Sequence, residues 1–159
     1  MSANVSTSTV GVNAAFLQEV KEDNVMLHDL LGAASKVLDP AVSTPIQTRS
    51  MADLFGKLRD QLAIHFALEE GLGYLEDVIV QTPRLCEVAF QLRAEHETLY
   101  VTISELADDA ERLLMGGGPI AKPMLLKRFR RFCHQLKEHE RREDDLIIES
   151  LYDELGVCD

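Results

Sequence analysis

From Ala14 to about Asp39 the apolar residues Phe16, Val20, Leu27, Leu31, Ala34 and Leu38 recur at intervals of three, four and seven, which lines them along one face of a helix. Pro40 and Pro45 end that pattern. A second helix is expected from Ser50, whose short hydroxyl suits an N-cap, with Met51, Leu54, Leu58, Leu62 and Ile64 at helical spacing and an end near Val80. Thr82 followed by Pro83 predicts the start of a third helix, because proline at the first helical position loses only an N–H that would be unpaired anyway. It runs to about Met115. Gly116-Gly117-Gly118-Pro119 is a break that no helix crosses, and a fourth helix follows from near Pro123 to just before Gly156.

No segment alternates as a strand would. Four long helices with three connections predict an all-α fold, an antiparallel up-down-up-down four-helix bundle. Residues 1–12, rich in Ser, Thr and Val without periodicity, read as a flexible leader, and residues 13–159 as one helical domain.

Charge narrows the partners. Sixteen Lys and Arg against 27 Asp and Glu give a net charge of −11, which repels polyanions, so neither nucleic acid nor an anionic membrane surface is an expected partner. No apolar run is long enough to span a bilayer, and the start has no cationic and apolar targeting pattern. Cys86, Cys133 and Cys158 are odd in number and outside any metal-ligand spacing, which points to a reducing compartment and a cytoplasmic location. They read as small apolar fillers rather than nucleophiles.

The histidines carry the chemistry. His28, His65, His96 and His139 fall one on each predicted helix, and Glu69 and Glu143 each stand four residues after a histidine. That offset turns the side chain by about 40° and advances it one helical turn, so each pair can reach one metal site. Tyr100 stands at the same offset from His96. Depth agrees as well: Glu69 and His65 precede Pro83 by 14 and 18 residues, while His96 and Tyr100 follow it by 13 and 17. Any single histidine could be an ordinary surface or core residue, and His-x-x-x-Glu pairs occur on helix surfaces. Four of them at mid-helix and compatible depth are better explained by a metal.

A mixed imidazole and carboxylate set without thiolate suits iron or manganese, and two carboxylates can bridge two ions inside a bundle. Four imidazoles and two carboxylates leave coordination positions for an oxo or hydroxo bridge and for a small ligand. An open iron site implies dioxygen, nitric oxide or peroxide chemistry.

In this order and spacing, His28, His65-x-x-x-Glu69, His96 and His139-x-x-x-Glu143 resemble the hemerythrin family in its broad HHE cation-binding form, over about residues 14–155. The resemblance implies a non-haem di-iron centre in the core of a four-helix bundle. His28 and His65 would hold one iron, His96 and His139 the other, and Glu69 and Glu143 would bridge them. Two departures bear on function. Oxygen-carrying members have histidine where Tyr100 stands, and they use an aspartate five residues after the last histidine, the place of Asp144 here. Both changes weigh against reversible oxygen carriage and leave Tyr100 and Asp144 as alternative ligands. The expected function is binding or sensing of O2, NO or peroxide, with turnover at the same site (peroxide or NO detoxification, iron oxidation) as the alternative, and a purely structural bundle as a third.

Other features are expected to be ordinary. His134 lies about 140° around the helix from His139 and reads as a flank residue. Lys127, Arg128, Arg130 and Arg131 read as a solvated face balancing Asp108, Asp109 and Glu111. Met26, Met51, Met115 and Met124 read as packing.

Overall fold

A computed structural model describes residues 14–39 and 46–154 of the chain. It is helical throughout: α1 (Ala14–Val37), α2 (Thr48–Leu72), a short α3 (Tyr74–Gln81), a 3-10 turn (Pro83–Leu85), α4 (Cys86–Leu114) and α5 (Lys122–Glu154). The four long helices form the antiparallel bundle, with α2 packed against α1 and α4, and α4 against α5. Across the remaining seam Lys137 Nζ donates to Ser35 Oγ at 3.3 Å and Arg130 to the Leu38 carbonyl at 3.3 Å. The leader, Pro40, Pro45, Gly156 and Cys158 lie outside the described residues. Among the described residues no helix is long and apolar enough to cross a membrane.

Two apolar clusters fill the bundle. The larger joins Leu27, Leu31 and Ala34 of α1 to Phe55, Leu58 and Leu62 of α2, with Ile103 and Leu106 of α4 and Phe129, Phe132 and Leu136 of α5. Phe55 and Phe129 meet within it at a tilt of 36°, with ring centroids 4.0 Å apart. The smaller holds Leu75 and Val78 of α3 with Leu85, Ala89, Leu92 and Leu146. On α2, α4 and α5 alike, the histidine segment lies between residues of the large cluster and the level of the small one. Sequence position alone therefore brings residues 65–69, 96 and 139–143 to one depth.

The second predicted helix is two helices. Gly73 adopts the left-handed conformation (φ 69°) that closes α2, and its N–H reaches the carbonyls of Glu69 and Glu70 at 3.1 and 3.2 Å. The chain then turns, so that α3 lays Leu75 and Val78 over the end of the bundle. Other boundaries shift for local reasons. Helix α2 begins at Thr48 after an extended Gln47, not at Ser50, and Ile64 is 53% exposed rather than part of the apolar face. Thr82 does not cap a helix: it is buried, with its hydroxyl 3.4 Å from Ser150 Oγ, and a 3-10 turn precedes α4. Of the four methionines expected to pack, Met51 is buried, whereas Met26, Met115 and Met124 are exposed.

Candidate metal centre

Helix α2 carries both ends of the first pair. His65 Nε2 lies 2.9 Å from Glu69 Oε1, and the other oxygen of Glu69 lies 3.5 Å from His96 Nε2 on α4. His96 Nε2 is in turn 3.0 Å from Glu143 Oε1, which is 3.3 Å from His139 Nε2 on the same turn of α5. Each carboxylate thus stands between two imidazoles on different helices. His96, His139 and Glu143, all buried, offer donor atoms within 4.8 Å of one another.

Several of these atoms are unpaired. His65 Nε2, Glu69 Oε2 and His139 Nε2 are buried without a hydrogen-bond partner among the described residues, because the short contacts to the glutamates are not aligned as hydrogen bonds, and His96 Nδ1, on the other side of its ring from Glu143, is unpaired as well. A buried polar atom left unpaired costs roughly 1–3 kcal/mol, so the three that face the run of contacts from His65 to His139 mark a place for a ligand or an ordered water. Two are imidazole nitrogens and one is a carboxylate oxygen, the donor set of a divalent or trivalent transition metal.

The far sides of the His65 and His139 imidazoles are braced. His65 Nδ1 donates to Asp23 Oδ2 at 2.7 Å, and Asp23 Oδ1 accepts from Gln61 Nε2 at 2.5 Å. His139 Nδ1 donates to Glu95 Oε2 at 2.9 Å, and Glu95 Oε1 accepts from Arg142 Nη1 at 2.7 Å. In the neutral ring that a metal takes, an Nδ1–H bound to a carboxylate fixes the tautomer and leaves Nε2 with its lone pair directed inward.

Without a metal, the site is held by mutual charge. Burial alone would lower the His65 pKa, but the neighbouring Glu69 and Asp23 carboxylates override it and raise it to about 9. His139 is likewise raised against its burial by Glu143 and Glu95. Burial would raise Glu143, but His139 and His96 hold it down at about 2.

A cavity of about 240 Å³ between α1, α2 and α5 opens onto these residues, lined by Asp23, His28, His65, Glu69, Glu140 and Glu143 among others. His28 is exposed on α1 at this opening, outside the close cluster of His96, His139 and Glu143. Asp144 lines the same mouth and is exposed. Tyr100 is 39% exposed and lines a different groove, between α2 and α4, with Ala63, Ala67 and Ala94. Glu70 Oε1 reaches His96 Nδ1 at 3.5 Å, on the side of the ring away from Glu143.

The expected bystanders behave as such. His134 is exposed, and Arg128 pairs with Asp109 at 2.9 Å. Cys133 is buried with its pKa pushed up to about 11 by that burial, which leaves the thiol inert.

Asp23, Glu95, Gln61 and Glu140 were not singled out from sequence. For Asp23 and Gln61 a signal existed, because each interrupts an apolar stripe at helical spacing: Asp23 lies between Val20 and Leu27, and Gln61 four residues before His65. A charged residue on a core face needs a buried partner. Glu95 carries no such signal. Glu140 is half-buried, and burial raises its pKa.

Comparison with curated proteins and with solved structures returns no match. The family model that describes the hemerythrin HHE cation binding domain matches residues 15–151. That span includes every histidine and carboxylate of the buried cluster, and the chain belongs to the hemerythrin HHE cation-binding family.

Proposed function

We propose that the protein is a non-haem di-iron protein that binds or senses a small ligand: dioxygen, nitric oxide or peroxide. The observation that carries this reading is the convergence of the unpaired His65 Nε2, Glu69 Oε2 and His139 Nε2 on one space between two apolar clusters. Two ions are favoured over one because Glu69 stands between His65 and His96, and Glu143 between His96 and His139, as bridging carboxylates would. Those five residues would hold the ions, with His28 completing the set from the cavity mouth.

When bound, a pair of irons supplies open coordination positions and one-electron redox capacity. The chain does the rest. Asp23 and Glu95 orient the imidazoles, Phe66 and the apolar clusters above and below exclude water, and the opening between α1 and α5 admits a ligand of a few atoms.

The test is to load the protein with ferrous iron anaerobically and expose it separately to oxygen, nitric oxide and peroxide. A stoichiometric change in the visible spectrum that saturates supports binding. Sustained oxygen evolution from peroxide or sustained NO consumption, lost in His65→Ala, supports turnover instead. No response to any of the three contradicts both.

A further inference from the structure

The two bracing carboxylates differ in one respect that bears on the metals. Asp23 is 5% exposed, and its partners are the imidazole of His65 and the neutral amide of Gln61. Its negative charge is therefore directed at His65 in a medium that screens little. Glu95 has a side chain 36% exposed and gives one oxygen to the Arg142 guanidinium at 2.7 Å. Part of its charge is compensated by the cation and part is screened by water. A carboxylate on Nδ1 strengthens the metal-donor power of Nε2 in proportion to the uncompensated charge that it brings.

We infer that Asp23 and Glu95 are positioning residues of unequal strength, Asp23 contributing more to metal binding at His65 than Glu95 contributes at His139, with Arg142 the residue that offsets Glu95. This rests on the di-iron reading above. The arrangement makes the His65 imidazole the stronger donor of the two braced rings and, in a redox-active pair, gives it the greater pull toward the ferric state, because a stronger donor favours the higher charge.

The experiment is an anaerobic titration of the full chain with Co(II), a redox-stable probe, in the wild type and in Asp23→Asn, Glu95→Gln and Arg142→Gln, with circular dichroism of each metal-free variant as a check on folding. Asn and Gln keep the shape and the hydrogen-bond acceptor but remove the charge. Asp23→Asn is expected to weaken one binding step by roughly 10- to 100-fold, the usual range for such a partner, and Glu95→Gln to weaken the other step by less. Arg142→Gln is expected to tighten the step that Glu95→Gln weakens, which no loss of mere structural support would do. Equal weakening by Asp23→Asn and Glu95→Gln overturns the inference, as does unchanged or weaker binding in Arg142→Gln. If Asp23→Asn does not fold, Arg142→Gln, at a partly exposed side chain, still decides it. A wild type that binds one Co(II) per chain marks failure of the two-metal reading instead.

Discussion

Phe66 lies face to face on His96, with ring centroids 4.2 Å apart and planes 9° from parallel. The same ring meets His139 edge-on at 6.1 Å and His65 at 5.7 Å, so one side chain touches three of the four site histidines. Being 6% exposed, it forms, together with His96, part of the wall between the centre and the groove between α2 and α4. Truncation removes a buried aromatic and opens a path for water. Phe66→Ala is expected to cost about 3–5 kcal/mol of unfolding free energy. Urea unfolding of the metal-free protein checks this, and a loss below about 1 kcal/mol contradicts the central place given to the ring.

The metal-free site sets a pH dependence. His65 is raised from 6.5 to about 9, so its contribution to stability is complete below 6.5 and disappears as pH rises through 9. Glu143 is lowered from 4.5 to about 2, so its contribution is present above 4.5 and disappears as pH falls through 2. These two groups together make the metal-free protein most stable between about 4.5 and 6.5 and weaken it toward pH 9. Chemical denaturation of metal-free protein at pH 6, 7.5 and 9 measures the alkaline limb; stability that is flat or rising over that range contradicts the assignment.

Metal affinity runs the other way. Metals take the neutral imidazole, so protons compete with them for His65 and His139, and binding is expected to strengthen from pH 6 toward 9. A calorimetric titration with Co(II) at several pH values reads this directly, with proton release accompanying binding near neutrality. Affinity that does not change with pH counts against imidazole ligation.

Two glycines separate backbone strain from packing. Gly73 has a positive φ of 69° and Gly56 does not, while a Cβ at either would meet no atom within 4 Å. Gly73→Ala is therefore expected to destabilise by about 1–2 kcal/mol through backbone strain alone. Gly56→Ala, inside α2, is expected to stabilise by about 0.5–1 kcal/mol. Thermal unfolding of the two variants, with opposite shifts, checks both.

Much of this architecture was legible in the chain. The stripe Leu27, Leu31 and Ala34 is buried where the periodicity put it, and the glycine turn at 116–118 separates α4 from α5. The end of α2 was not legible, because a single glycine inside an apolar pattern is tolerated in many helices and only its left-handed geometry ends this one. At the site, the i, i+4 pairs His65–Glu69 and His139–Glu143 are local, and helix geometry alone brings their atoms together. Asp23 and Glu95 act across 42 and 44 residues of sequence, and such pairings depend on which helix faces which. Tyr100 shows the limit of spacing: it stands one turn from His96, yet the rotation of α4 turns it to the surface groove.

The central claim is that five buried or half-buried side chains, with His28 at the mouth, hold two irons. Ferrous iron added anaerobically to metal-free protein, followed by gel filtration and iron analysis, tests it most directly. About two irons per chain are predicted for the wild type, with fewer than two retained by Glu69→Ala and by His139→Ala. Less than about a tenth of an iron per wild-type chain, from protein shown by circular dichroism to be fully helical, would contradict the account.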